Sequence, residues 1–277
     1  MPFFPQAEYQ CGPAALATVL VHAGRDVTPD MLAPQVYLPG RQGSLQLELI
    51  AATRRQDLLP YLLDESIDAI VASLRAGDPV LVLQNLGVPS LPTWHYAVVV
   101  GIDPDRKRVV LRSGTERRYS MRLGRFTQSW DWGGRWALVP VEPGAPPEWA
   151  QPERFLSAAA GLEEIGRLAP AESAYRAAVA RWPEAHLAWL GLGTVAYRRG
   201  DRQSAVREWR RAAHLAPESV ATLNNLATVY AELGCKALAR KTAERAVAAA
   251  ADGPLAAAAS HTLEAVLTEP EGQCGIN

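Results

Sequence analysis

The sequence predicts an α+β domain over residues 1–142, a proline-rich linker at 143–151, and an all-α domain of repeated helical pairs over 152–269. Three observations carry this reading. The stretch Glu142-Pro-Gly-Ala-Pro-Pro-Glu-Trp149 holds three prolines and a glycine in eight residues, which can continue neither a strand nor a helix. Before it, short Val- and Leu-rich runs alternate with helical patterns, whereas after it alanine dominates. The second part also repeats itself, with Gly166, Gly200 and Gly234 spaced by 34 residues.

In the first part, Cys11 to Ala23 reads as an apolar helix ended by Gly24. Helices follow at about 44–55 and 66–75, then strands at 79–85, 95–103, 108–113, 118–123 and 135–141. Asp103-Pro-Asp-Arg-Lys107 is a turn between the second and third strands. Helices followed by a meandering antiparallel sheet make an α+β domain. The cluster Trp130-Asp-Trp132-Gly-Gly-Arg-Trp136 reads as core packing and a turn, with a rim of a substrate cleft as the alternative.

In the second part, Ala171, Ala205 and Ala239 keep the 34-residue step, as do Ala178, Ala212 and Ala246. The glycine permits the tight turn between antiparallel helices, and the alanines let those helices approach. Pro183 and Pro217 stop the second helix of a unit, while Phe155, Trp189 and Leu223 open successive units. The pattern, from 152 to about 252, resembles tetratricopeptide repeats, with 255–269 as a capping helix. That resemblance implies a concave groove for a peptide or protein segment, with Leu190, Tyr197, Arg198 and Asn224 as candidate contacts.

Composition excludes several classes. Twenty-eight Lys and Arg against 29 Asp and Glu give a net charge of −1, which removes the electrostatic case for nucleic acid. No apolar run approaches the roughly 18–20 residues of a membrane span. Cys11, Cys235 and Cys274 form no CxxC pair, and no phosphate loop, dinucleotide fingerprint or metal-ligand spacing occurs, so no cofactor or metal is expected. Cys235 and Cys274 could form one disulfide tying the C-terminal tail to the third repeat, but two free structural thiols are the expectation. Met1-Pro-Phe-Phe-Pro5 shows no signal peptide. A periplasmic or exported location therefore requires that a leader was removed, and a cytoplasmic one is expected otherwise.

The residues that could carry chemistry lie in Gln6-Ala-Glu-Tyr-Gln-Cys11-Gly-Pro-Ala-Ala-Leu16. Cys11 begins a helix, where the N-terminal dipole favours a thiolate, and Gly12-Pro13 fit the first turn. The thiol needs a base. His22 lies eleven residues along the same helix, about 16 Å away at 1.5 Å per residue, and cannot reach it. His95 remains, opening the strand His95-Tyr-Ala-Val-Val-Val-Gly-Ile-Asp103. Gln6 could donate a side-chain N–H to an oxyanion.

These two segments resemble the bacteriocin-processing, or double-glycine, papain-like cysteine peptidases over residues 3–140. The resemblance implies a papain-like fold, Cys11 as nucleophile, His95 as general base and acid, Gln6 in the oxyanion hole, and a peptide or protein substrate. The chain departs from the family at two points. Gln6 lies one residue nearer the cysteine than expected. The strand after the histidine reads Val109-Val-Leu-Arg-Ser-Gly114, which puts Ser113 in the acid's place. The hairpin brings Ser113–Glu116 beside His95, so Glu116 is the nearest alternative acid and Asp103, at the turn, a more distant one. Repeats also stand where the family's exporters have membrane helices. Two other readings are a catalytically degenerate peptide-binding scaffold and an acyl transferase similar to phytochelatin synthases, which share a glutamine shortly before Cys-Gly.

Overall fold

The computed structural model describes residues 2–5, 11–41, 43–268 and 272–276. The chain forms two compact units, residues 1–165 and 166–277.

The first unit runs α1 (Cys11–His22), α2 (Pro29–Val36), α3 (Gln46–Arg55), β1 (Leu59–Leu62), α4 (Ile67–Arg75), β2 (Val80–Asn85), β3 (Trp94–Asp103), β4 (Arg108–Ser113), β5 (Glu116–Arg122), α5 (Leu123–Asp131), β6 (Ala137–Val141) and α6 (Pro152–Glu164). The strands form a six-stranded antiparallel sheet ordered β1-β6-β2-β3-β4-β5. Strands β2 to β5 meander as expected. The pure meander is nevertheless corrected at the other edge, where β6 returns beside β2 and β1 pairs outside it.

Helix α1 is apolar all round because it lies inside the core, with Gly12 to Leu20 buried without interruption. Its side chains pack with Leu32, Val36, Leu49 and Ala52 of the neighbouring helices and with Leu81, Leu83, Tyr96, Val98 and Leu138 of the sheet. Side chains alternate across a strand, so His95 and Ala97 face away from Tyr96 and Val98. On that opposite face Gln84 of β2 meets Ser129 of α5 at 2.7 Å. Trp130 is fully buried, stacks on Phe126, and donates its indole N–H to the Trp136 carbonyl at 3.0 Å. The tryptophan cluster is thus core packing at the end of α5, followed by a turn with Gly134 and Arg135 at positive φ.

Helix α6 belongs to this first unit and packs on β1. The Gln151 N–H donates to the Tyr61 hydroxyl at 2.9 Å, Arg154 pairs with Asp64 at 2.6 Å, and Arg154 also reaches the Leu62 carbonyl. Gly161 leaves room for the Arg54 guanidinium, which a Cβ there would meet at 2.0 Å.

The second unit continues with α7 (Leu168–Arg181), α8 (His186–Arg198), α9 (Arg202–Leu215), α10 (Val220–Glu232), α11 (Lys236–Ala250) and α12 (Ala256–Thr268). Gly166, Gly200 and Gly234 all have φ between 74° and 84°, the left-handed turn that their 34-residue spacing predicts. Both alanine series are fully buried. Helix α12 packs Ala256 and Ala259 against Leu223, Ala246 and Ala250, closing the array. One expectation is overturned: Cys235 and Cys274 are joined in a disulfide rather than left as free thiols. The tail is also held by the Gly275 N–H on the Leu233 carbonyl and by Gln203 on the Gly275 carbonyl. No helix among the described residues is long and apolar enough to cross a membrane.

Candidate active site

Cys11 occupies the first position of α1, at the end of the sheet where β3 begins. The backbone N–H of Tyr96, the residue after His95, and those of Gly12 and Cys11 at the open helix end favour its thiolate form. The motif needs glycine at position 12 for a reason outside the helix. A Cβ there would lie 2.3 Å from Ser44 Oγ, so the residue after the cysteine must leave space for the 43–45 segment. The Tyr96 hydroxyl donates to the Ser44 carbonyl at 3.3 Å, tying that segment to β3.

His95 Nε2 lies 2.8 Å from Ser113 Oγ. The sheet register explains the contact. Val98 pairs with Arg112 and Val99 with Leu111, so one further step puts Ser113 opposite Ala97. His95 is then its diagonal neighbour on the same face, within reach of an imidazole. Glu116 pairs with Ser113 across the tight β4–β5 turn but is exposed, and Asp103 sits at the far end of β3 bonded to the Arg106 N–H. Gln6 lies outside the described residues.

Burial favours the uncharged form of each group. Burial pushes the Cys11 thiol above its ordinary value, and the N–H groups of Tyr96, Gly12 and Cys11 oppose this. Burial likewise holds the His95 imidazole below its ordinary value. The Tyr96 phenol is pushed up by burial first and by the neighbouring Cys11 second.

Two polar residues at the end of β2 escape sequence reasoning. Gln84 lies directly across from His95, is 1% exposed, and leaves its Oε1 buried without a partner. Asn85 Oδ1 accepts the N–H groups of Gly87 and Thr93, pinning the loop between β2 and β3. That ordered loop turns Leu86, Val88, Leu91 and Trp94 to solvent immediately before His95. The only signal was a Gln-Asn pair closing an apolar run. Among the described residues, no cluster of His, Cys, Asp and Glu could hold a metal ion.

The α+β scaffold thus carries a half-buried cysteine at a helix start and, on a strand of the sheet, a histidine that bonds a hydroxyl of the next strand. Residues 1–135 match the Peptidase_C39 like family, and residues 158–209 and 192–254 match the Tetratricopeptide repeat family. The chain therefore carries a C39-like peptidase family domain followed by tetratricopeptide repeats. Among solved structures, it is similar to a protein from Bacillus anthracis described as C39-like peptidase, at 19% identity over 50% of this chain and 94% of that one, with a TM-score of 0.43. It is also similar to the type III secretion translocator chaperone SycD of Yersinia enterocolitica, at 21% identity over 42% of this chain and 82% of that one, with a TM-score of 0.39. A third is PcrH in complex with the chaperone-binding region of PopD, at 24% identity over 42% and 90%, with a TM-score of 0.39. Comparison with curated proteins finds no match.

Proposed function

We propose that this chain is a cysteine peptidase, with Cys11 as nucleophile, His95 as general base and acid, Ser113 as the residue that orients His95, and Gln6 as an oxyanion donor. The observation that carries the reading is the joint placement of two groups. The N–H of Tyr96 favours the thiolate of Cys11, while the adjacent His95 uses Nε2 on Ser113. That leaves Nδ1 as the ring nitrogen for the thiol. In the reaction, His95 takes the thiol proton as sulfur attacks the scissile carbonyl carbon. The oxyanion is stabilised by the Cys11 N–H and Gln6. The C–N bond then breaks, the leaving amine takes the proton from His95, and an acyl-enzyme remains. Water, deprotonated by His95, cleaves the thioester and restores both groups.

In this reading residues 1–142 are the peptidase part and 152–269 the repeat part, whose first helix α6 is seated on β1 within the first compact unit, and the repeats recruit a substrate or protein partner in their groove. A second reading, a peptide-binding scaffold without turnover, is favoured by the buried and uncharged character of the pair, since an inert cysteine has the same raised pKa. A thiol-directed activity probe followed by incubation with peptides and with glutathione decides among the readings. Specific labelling of Cys11 with peptide cleavage supports the peptidase, gamma-glutamyl transfer supports the acyl transferase, and neither labelling nor turnover supports the scaffold.

A further inference from the structure

The hairpin that supplies Ser113 continues into a region whose charge sets it apart from the rest of the chain. Residues 106–125 contain eight Lys and Arg against the single acidic Glu116, in a protein whose net charge is −1. Elsewhere in the fold many arginines are paired with carboxylates, as in Arg25–Glu142, Arg154–Asp64 and Arg202–Glu232. On the hairpin, Arg106 reaches Asp103 only at 3.8 Å, and Arg108 is spent on Ser120. Among the described residues, Lys107, Arg117, Arg118, Arg122 and Arg125 have no carboxylate partner, and all five are exposed.

These charges flank an open sheet edge. Among the described residues β5 is last in the strand order and pairs only with β4, so no described strand covers the backbone N–H and C=O groups along its other side. Alternation puts Arg118, Ser120 and Arg122 on the exposed face, while Met121 turns into the core. Charged edges commonly guard a sheet against pairing with another copy of itself. A guard of one sign does more than that: it repels a second copy of β5 but attracts a strand of opposite charge.

We propose that β5 is a docking edge for an acidic, extended polypeptide segment, which adds as a seventh strand and places alternate carboxylates against Arg118 and Arg122. Main-chain hydrogen bonds to the edge supply the pairing, and the arginines select the sequence. A polypeptide is favoured over an anionic membrane because the open edge presents a row of alternating donors and acceptors that a lipid headgroup cannot match. The inference does not depend on the peptidase reading, because docking requires neither Cys11 nor His95.

The test uses the full chain carrying Cys11→Ala, so that cleavage cannot consume the probe. A peptide of seven residues, the length of β5, with glutamate at alternate positions is titrated beside its all-glutamine analogue and beside vesicles containing phosphatidylserine. The acidic peptide is expected to bind saturably, to weaken as salt rises, and to slow amide exchange along residues 116–122. Arg118→Glu combined with Arg122→Glu should weaken it by about tenfold or more. Arg118→Gln with Arg122→Gln should give a smaller loss, and circular dichroism on each variant verifies the fold. Equal binding of the glutamine analogue, protection away from β5, or binding to vesicles without binding to the peptide overturns the proposal.

Discussion

The Ser113 hydroxyl lies 2.8 Å from Nε2 of His95, where the related peptidases are expected to hold a carboxylate. A hydroxyl can accept the imidazole N–H and fix its tautomer, but it cannot stabilise an imidazolium as an anion does. Ser113→Ala should therefore lower kcat about fivefold, the worth of one hydrogen bond of roughly 1 kcal/mol. Ser113→Asp should raise it. A silent Ser113→Ala together with a crippling Glu116→Gln would transfer the role to Glu116.

Removing the proposed nucleophile should be decisive. Cys11→Ala is expected to reduce peptide cleavage to background while leaving the circular dichroism spectrum unchanged, and His95→Ala to cost on the order of 10²–10⁴-fold. Wild-type cleavage by purified Cys11→Ala protein would remove the assignment.

The pH profile follows from burial. His95 is held below its ordinary 6.5 and Cys11 above its ordinary 9.0. Protonating His95 abolishes the base, so activity should fall only as pH drops beneath 6.5 and should hold up to at least 9. The same shift makes half-buried His95 a source of acid instability: above pH 6.5 both folded and unfolded chains hold it neutral. Below that value the unfolded chain binds the proton first, and stability declines as pH falls toward the folded value. An acid limb centred above 6.5 would contradict this reading.

Gly12→Ala should damage the site without touching a reacting atom. The new Cβ would lie 2.3 Å from Ser44 Oγ, and overpacking of this kind costs about 1–3 kcal/mol. Thermal unfolding should show the loss, and Ser44→Gly in the same chain should restore much of it. No change in melting temperature for Gly12→Ala alone would refute the close packing.

The disulfide predicts a single free thiol on unreduced, denatured protein, namely Cys11. Its closure spans 39 residues, for which chain entropy gives up to about 4 kcal/mol. Cys274→Ser should lower the stability of the repeat unit by an amount up to that figure, measured by denaturant titration. Three free thiols would exclude the bridge.

Elements with strong local periodicity were legible before any coordinates. The helix from Cys11, the hairpin carrying His95 and Ser113, and the 34-residue glycine turns each follow from short-range patterns. Three elements were missed because their residues argue against them. α2 contains Pro34, β1 contains Pro60, and α5 has only Phe126 and Trp130 as large buried anchors among polar residues. The insertion of β6 between β1 and β2 was hidden for a different reason, since it joins distant segments through packing, which leaves no mark on spacing. The Cys235–Cys274 bond was open as an alternative, but spacing alone could not decide it.

The seat of α6 on β1 bears on how the two halves can be taken apart. A cut within residues 143–151 would strip this helix and uncover Tyr61, Asp64 and the outer margin of a six-stranded sheet. Such a fragment would be sticky, prone to strand exchange and loss from solution, and its inactivity would be misread as a need for the repeats. A fragment ending after residue 165 keeps this helix on its own sheet and is the fair measure of what the first unit does alone.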